Sequence, residues 1–205
     1  MNQHFAAAYP EMPPTTQAAE GLMRRAWTVD EVFALIEAGI IGLDERFELI
    51  GGEIVPMSPK GIRHEVVKNE LAASIIRNPV TADISIHIES TYFTGKRSFF
   101  EPDILLWPKH IRRVDKDNDI PPAELLLAIE VSDSSLGYDL GRKAAFYAGL
   151  GIREYWVVNA RSLVTTVHRQ PGDENYTTIT EVSPDAVLEP AFVKGLSLRL
   201  AELDI

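Results

Sequence analysis

Residues 125–132 read Leu-Leu-Leu-Ala-Ile-Glu-Val-Ser, and this stretch decides the fold. The nearly continuous apolar run is typical of a central strand that is buried on both faces. A helical pattern follows at residues 139–149, and a second strand pattern follows at residues 154–159. A strand, a helix and a strand in this order form a crossover unit, so the two strands are predicted to be parallel.

Patterns on either side of this unit extend the sheet and add helices. In chain order, the sequence predicts a helix at 28–39, a hairpin at 46–57, a helix at 63–77, strands at 83–92 and 102–107, and a closing hairpin at 163–182. Thr28 and Glu31 match a capping box, and Gly51-Gly52 suits a tight hairpin turn. Together these elements predict a mixed α/β fold with helices flanking a central sheet.

Two of these elements carry specific predictions about burial. The helix at 63–77 is expected to bury an apolar stripe made of Val66, Val67, Leu71, Ile75 and Ile76. The strand at 83–92 alternates three isoleucines with polar residues, which indicates a half-buried strand.

Length and composition limit the class of protein. The 205 residues, of which 45% are hydrophobic, fit one domain over residues 26–205 preceded by a flexible tail at 1–25. There is no cysteine, which excludes disulfides and thiolate-bound zinc. No apolar run reaches a membrane span of about 20 residues, and the first residues lack the basic start of a secretory signal. A cytoplasmic location without membrane contact is therefore expected.

The net charge of -10 counts against a general nucleic-acid-binding protein. One basic cluster stands out against this balance, and it comprises Lys109, His110, Arg112, Arg113 and Lys116. Two interpretations stay open, namely a solvated loop and a rim that contacts phosphate groups.

Two acidic residues lie at the edges of apolar strands. Asp103 follows Pro102 and precedes Ile-Leu-Leu-Trp, and Glu130 follows the apolar run described above. Burying a carboxylate beside a hydrophobic strand is costly unless a cation meets it. Two such carboxylates on neighbouring strands indicate a divalent metal, and hence a metal-dependent phosphodiesterase.

The predicted cofactor is Mg²⁺ or Mn²⁺, because oxygen ligands suit these hard cations. Asp103 and Glu130 would be the main ligands, Glu48 a third oxygen ligand, and the backbone carbonyl of Val131 a further one. Magnesium is usually held by one or two carboxylates plus water and phosphate, so this small set is sufficient.

The residue that supplies the cation required by such chemistry is less evident from the sequence. A lysine two residues beyond Glu130 would lie on the same face of the strand, but Ser132 stands there. Asp139, Lys143 and Tyr147 share one face of the following helix, because they are spaced four residues apart. If that helix packs on the strand, Lys143 can reach the metal site and stabilise developing charge.

Each of these residues also has a structural interpretation. Asp103 could cap a turn, Glu130 could form a structural salt bridge with Lys143, and Glu48 could face solvent in its hairpin.

An ordered series of motifs resembles a known family over about residues 28–200. The motifs are Glu48-Leu49-Ile50-Gly51-Gly52-Glu53, Ser58-Pro59 with His64, Pro102-Asp103, Glu130-Val131-Ser132, Asp139-Leu140-Gly141-Arg142-Lys143 with Tyr147, and Gly151-Ile152-Arg153-Glu154-Tyr155-Trp156. Together they resemble the bacterial putative restriction endonuclease domain family, formerly a domain of unknown function, in the PD-(D/E)xK or restriction-endonuclease-like superfamily.

The resemblance implies a restriction-endonuclease-like core and a nuclease that acts on DNA. It places the metal-binding acids on Asp103 and Glu130, the auxiliary acid on Glu48, and the displaced lysine on Lys143. His64 falls where the family has a histidine, on the polar side of its helix, and either contacts substrate or forms a helix-terminal hydrogen bond.

Three functions remain open at this point. The first is a Mg²⁺-dependent endonuclease, in which cleavage of both DNA strands would favour a homodimer. The second is a catalytically inactive module of the same fold that binds nucleic acid or protein, which the acidic balance and Ser132 favour. The third is a hydrolase of another phosphoester, because the same carboxylates serve many substrates. Tyr147 and Trp156 are expected in the core rather than against substrate.

Overall fold

The computed structural model describes residues 25–111 and 120–205. Nearly all of the predicted tail at 1–25 lies outside these residues, as do Arg112, Arg113 and Lys116 of the basic cluster. Lys109 and His110 are described and are exposed. The phosphate-contacting rim therefore stays a prediction.

Along the described chain, each α-helical segment is followed by a run of two or more strands. The helices are α1 (Val29–Glu37), α2 (Ile62–Arg77), α3 (Leu136–Tyr138) and α4 (Ala144–Gly149), with a π-helical turn at Asp139–Lys143 joining the last two. The strands are β1 (Phe47–Ile50), β2 (Glu53–Pro56), β3 (Ile84–Ile88), β4 (Tyr92–Thr94), β5 (Ser98–Phe100), β6 (Ile104–Pro108), β7 (Leu127–Ser132), β8 (Glu154–Asn159), β9 (Thr165–Pro171) and β10 (Tyr176–Val182).

Contacts group the described residues into two compact parts. The smaller part comprises residues 25–57 and 95–100, and the larger comprises residues 58–94, 101–111 and 120–205. The single domain expected over residues 26–205 stays a prediction.

The smaller part contains α1 and the first hairpin, both as predicted. Thr28 caps α1, since its hydroxyl accepts the N–H of Glu31 at 3.2 Å while the Glu31 carboxylate accepts the N–H of Thr28 at 2.9 Å. β1 pairs antiparallel with β2, and Gly51 and Gly52 turn the chain at φ angles of 60° and 90°. Strand β5, for which no sequence pattern was identified, pairs with β1 through Leu49 and Phe99.

The larger part is built on a six-stranded mixed sheet. Its strand order is β10-β9-β8-β7-β6-β3, and β7 and β8 are its parallel pair. The crossover unit is therefore confirmed. The apolar side chains of α2 pack on one face of the sheet with Ile129 and Trp156, whereas Tyr147 of α4 packs against Tyr155 on the other. The mixed α/β fold with helices flanking a central sheet is confirmed.

Helix α2 corrects two expectations about burial. Val67, Leu71 and Ile75 are buried as predicted, but the expected burial of Val66 and Ile76 is wrong, because these residues are 41% and 53% exposed. The buried face continues one turn earlier to His64, which is 7% exposed. Residues spaced three and four apart share a helix face, so His64 belongs to the buried side and not to the polar side.

The strand expected at 83–92 ends earlier than its pattern suggests. β3 stops at Ile88, which is 38% exposed, and Glu89 adopts a positive φ of 48°. A left-handed conformation breaks an extended strand, so the chain turns before β4 begins. Across the two described ranges, no helix is both long enough and apolar enough to cross a bilayer.

Candidate active site

Asp103 and Glu130 come from neighbouring strands of the larger part. The register of β6 and β7 pairs Ile104 with Ile129, and its extension by one residue sets Asp103 opposite Glu130. Residues that are directly opposite in an antiparallel pair have Cβ atoms about 5 Å apart. The two carboxylates therefore belong to one end of the sheet, as the sequence predicted.

The carboxylate of Asp103 accepts three hydrogen bonds although it is almost fully buried, at 2% exposure. Its Oδ2 accepts the backbone N–H of Val131 at 2.8 Å and lies 2.9 Å from Nε2 of His64. Its Oδ1 accepts from Nζ of Lys60 at 2.9 Å. Asp103 is thus fixed by β7, by the start of α2 and by the loop before α2, and it does more than cap a turn.

These donors decide the charge of Asp103. Burial alone would raise the pKa of its carboxyl, but the hydrogen bond from His64 and the positive charge of Lys60 oppose this effect. With the N–H of Val131 they lower the pKa to about 2. Asp103 is therefore an anion at neutral pH.

Glu89 completes the surroundings of Lys60. The Lys60 ammonium hydrogen-bonds the Glu89 carboxylate, and Nζ of Lys68 donates to the same carboxylate at 2.6 Å. Burial tends to raise the pKa of Glu89, but the bonds from the two lysines lower it overall. The backbone N–H of Glu89 donates to the carbonyl of Asp103 at 3.1 Å, which holds the end of β3 beside the start of β6.

The second carboxylate has an ammonium of its own. Nζ of Lys143 lies 2.7 Å from Oε1 of Glu130, and both side chains are at least nine-tenths buried. The hydroxyl of Tyr147 donates to the same oxygen at 3.2 Å. The helix after β7 thus brings Lys143 to Glu130 rather than to solvent, which is the geometry that the helical spacing predicted.

Ser132, two residues beyond Glu130, forms a hydrogen bond with Asp139. The hydroxyls of Ser132 and Ser135 each lie 2.6 Å from Oδ2 of Asp139. Burial raises the pKa of Asp139, and the nearby charge of Asp103 adds to the increase while Lys143 opposes it. Asp139 opens the π-helical turn, a feature that is frequent at functional sites.

Glu48 lies in the smaller part, in β1 opposite Val55. It is 3% exposed, so the solvent-facing interpretation of Glu48 is wrong. Its role as a third ligand stays a prediction.

Sequence reasoning missed Lys60, Lys68 and Glu89. Glu89 follows Ile84–Ile88, where isoleucines alternate with polar residues, so the continuous apolar run that singled out Asp103 and Glu130 is not present beside it. Lys60 lies in the loop before α2, and a lysine in a loop carries no comparable signal.

The donors around Asp103 and Glu130 fit a hard cation that is held by few protein ligands. Among residues 25–111 and 120–205, no three His, Cys, Asp or Glu side chains are grouped to hold a metal ion. An ionised carboxylate offers about four lone-pair sites, and Asp103 uses three of them, so its Oδ1 keeps one for a cation.

The carbonyl of Val131 fits the same cation. In a strand the N–H and C=O of one residue point to the same side, and the N–H of Val131 points at Asp103. Two carboxylates and one carbonyl are a sufficient protein share for Mg²⁺, which keeps several waters.

The comparisons with known proteins agree with this fold. A solved structure from Anabaena variabilis, described as a putative nuclease belonging to DUF820, matches with a TM-score of 0.65 at 19% identity. The match covers 85% of this chain and 95% of that one. At this identity the likeness shows the fold.

A curated protein from Synechocystis is similar in sequence. It is described as uncharacterized protein sll1609, and it is 21% identical over 153 residues, which cover 73% of this chain and 86% of that protein. The Uma2 family model, described as putative restriction endonuclease, matches residues 29–201. Since this match spans far more than half of the sequence, the chain belongs to the Uma2 family of putative restriction endonucleases.

Proposed function

We propose that this protein is a Mg²⁺-dependent endonuclease, also able to use Mn²⁺, that hydrolyses phosphodiester bonds of DNA. One observation carries the proposal: two buried carboxylates from neighbouring strands, Asp103 and Glu130, each lie within 3 Å of a lysine ammonium. A nuclease needs carboxylates for a metal and cations for the charge that develops on phosphate. The family supports a nucleic-acid substrate.

The metal ligands in this proposal are Asp103, Glu130 and the carbonyl of Val131. When bound, the metal would lower the pKa of a water molecule and stabilise charge on the scissile phosphate. The low pKa of Asp103 keeps this ligand ionised without a cost for deprotonation.

Lys143 has the role of the charge-stabilising cation. Its ammonium is held 2.7 Å from Glu130 and is almost fully buried, at 4% exposure. A preorganised positive charge in a water-poor environment acts more strongly on developing negative charge than the same charge in water. The hydroxyl of Tyr147 donates to the same oxygen of Glu130, which helps to fix the carboxylate.

His64 is assigned to Asp103 rather than to substrate in this proposal. Its Nε2 faces Oδ2 of Asp103, and its Nδ1 lies 3.2 Å from Oε1 of Glu65. The ring therefore orients the carboxylate of Asp103, as second partners of metal ligands commonly do.

A homodimer related by a two-fold axis would supply two such sites for cleavage of both strands.

A cleavage assay tests the proposal. Supercoiled plasmid and a single-stranded oligonucleotide are incubated with the protein in Mg²⁺, in Mn²⁺ and in EDTA. We expect cleavage in either metal and none in EDTA, and a loss of at least about a hundredfold in rate in Asp103→Asn and in Lys143→Met. Asp173→Asn and Lys194→Met, which change the same residue types at exposed positions, serve as matched controls.

Equal cleavage by the wild type, Asp103→Asn and Lys143→Met would trace the activity to a contaminant and refute the proposal. Cleavage of the plasmid at no preferred position would leave the proposal standing, because the assay tests the chemistry and not the recognition site.

A catalytically inactive binding module is the second candidate. It is favoured by the same observation, because an ion pair between each carboxylate and a lysine also satisfies a purely structural role. Retention of DNA in a gel-shift assay, without cleavage in either metal, would support this candidate over the nuclease.

A further inference from the structure

Six side chains around Asp103 form a closed ring of alternating acids and bases. In order around the ring, they are Asp103, Lys60, Glu89, Lys68, Glu65 and His64. The ring joins the loop before α2, the first two turns of α2, the end of β3 and the start of β6. Such a ring fixes the orientation of each member, because each side chain has a partner on both sides.

Lys60 is the member of this ring that links Asp103 to Glu89. Its ammonium lies 2.9 Å from Oδ1 of Asp103, the oxygen that keeps a lone pair for a cation. An ammonium and a divalent cation on one carboxylate oxygen repel each other strongly at such distances. The two therefore compete for Asp103.

We propose that Lys60 is an internal competitor for the divalent cation, which binds Asp103 by displacing the ammonium towards Glu89. Glu89 already holds Lys60, so the displaced ammonium keeps a carboxylate partner and is not left buried without one. Lys60 is a positioning residue that sets the affinity of the site for metal. The inference rests on the metal site of the proposed function and adds a residue that regulates it.

The proposal gives Lys60 and Glu89 opposite effects on metal affinity. Removing the Lys60 charge frees Asp103 for the divalent cation, so metal should bind more tightly. Neutralising Glu89 removes the carboxylate that receives the displaced ammonium, so metal should bind more weakly.

Calorimetric titration of Mn²⁺ into full-length protein, stripped of metal with EDTA and then dialysed, measures these effects. We expect Lys60→Met to lower the dissociation constant on the order of tenfold and Glu89→Gln to raise it severalfold. Lys68→Met is the matched control, because Lys68 belongs to the same ring but contacts Glu65 and Glu89 instead of Asp103. It should lower the constant by less than about threefold.

Each variant is first checked by thermal unfolding. If Lys60→Met fails to fold, the inference is tested with Lys60→Arg, which keeps the charge. Lys60→Arg should bind Mn²⁺ like the wild type or more weakly, and tighter binding would overturn the inference. Equal shifts in Lys60→Met and Lys68→Met would also overturn it, since they would indicate a general effect of charge. An unchanged constant in Lys60→Met, or a wild type that binds no Mn²⁺, would overturn it as well.

The titration separates the inference from the nuclease proposal. A wild type that cleaves no DNA but shows the predicted Mn²⁺ shifts would refute the nuclease and support the role of Lys60. Cleavage that depends on Asp103, together with an unchanged constant in Lys60→Met, would support the nuclease and refute the role of Lys60.

Discussion

Two buried glutamates on the parallel strands β7 and β8 hold their charge in different ways. Glu154, the first residue of β8, is fully buried, and its Oε1 accepts from Nε and Nη2 of Arg169 at 2.9 and 2.7 Å. Its Oε2 accepts the backbone N–H of Ala191 at 2.7 Å. Glu130, near the end of β7, pairs instead with the ammonium of Lys143 and the hydroxyl of Tyr147.

The two glutamates differ in the groups that donate hydrogen bonds to their carboxylates. The guanidinium of Arg169 is a planar fork that binds a carboxylate in one fixed geometry, and the N–H of Ala191 belongs to the backbone. The ammonium of Lys143 is a point charge on a flexible stem, which can turn towards a new anion without losing its charge. Glu154 therefore has the surroundings of a structural carboxylate, and Glu130 has those of a carboxylate that can exchange partners.

The largest effect on stability is expected at the structural carboxylate. Arg169→Met leaves Glu154 buried without its cation, which should lower the free energy of unfolding by about 3 kcal/mol. Urea denaturation measures the loss, and Arg199→Met, at an arginine whose side chain is 52% exposed, serves as the control with an expected change below about 0.5 kcal/mol. Cleavage per folded molecule should stay at the wild-type rate. A stability loss no larger than that of the control would remove the contrast between the two glutamates.

The second prediction separates stability from activity at Glu130. Lys143→Met alone should destabilise the protein by about 2 kcal/mol, because the buried carboxylate of Glu130 then lacks its ammonium. Adding Glu130→Gln should recover most of this loss, since both charges are then gone. Neither protein should cleave DNA. A double variant that is stable and cleaves like the wild type would make the pair structural.

Local patterns made much of the fold predictable. The period of two in the hairpins, the period of 3.6 in α1 and the strand–helix–strand order all act within about 30 residues. The boundary of β3 was not predictable, because the positive φ of Glu89 occurs in a residue other than glycine and carries no local signal. Apolar character alone does not identify the buried side of α2, because Val66 and Ile76 are as apolar as the residues that are buried.

The acids of the candidate site could be predicted from the sequence, and its bases less so. Asp103 and Glu130 each interrupt an apolar run, which is a visible conflict between charge and burial. Lys143 followed from helical spacing. Lys60 contacts Glu89 and Asp103, which lie 29 and 43 residues further along the chain, so only the folded arrangement of the loop with β3 and β6 brings the three together.

The third prediction concerns the acid stability that Asp103 supplies. Its pKa falls from 3.8 to about 2 in the folded protein, which corresponds to about 2 kcal/mol of stability. This contribution is fully present above about pH 4 and is lost as the pH falls towards 2. Urea denaturation of the wild type and Asp103→Asn at several pH values should show a difference in stability that shrinks in this range. A difference that does not change with pH would contradict the low pKa.

The smallest effect is expected from His168 of β9, which pairs with Tyr155, the residue after Glu154 in β8. This ring is 1% exposed, packs between Tyr155 and Tyr176 with centroids 5.3 and 5.5 Å away, and has an Nδ1 without a hydrogen-bond partner. Burial lowers its pKa from 6.5, so the unfolded chain binds a proton more readily than the folded protein does. The stability that neutral His168 preserves is therefore complete above pH 6.5 and declines as the pH falls below it.

His168→Phe keeps an aromatic ring against both tyrosines and removes the titrating group. The free energy of unfolding, measured by urea denaturation at pH 7.5, 6.5 and 5.5, should fall less steeply in this variant than in the wild type. The difference in slope cannot exceed about 1.4 kcal/mol per pH unit, since one proton is involved. His110→Gln, at an exposed histidine, is the matched control for the loss of a histidine. A neutral buried ring has no part in the chemistry proposed for Glu130. If His168→Phe changed DNA cleavage at neutral pH as well as the slope, the contrast between a structural Glu154 in β8 and a reactive Glu130 in β7 would fail.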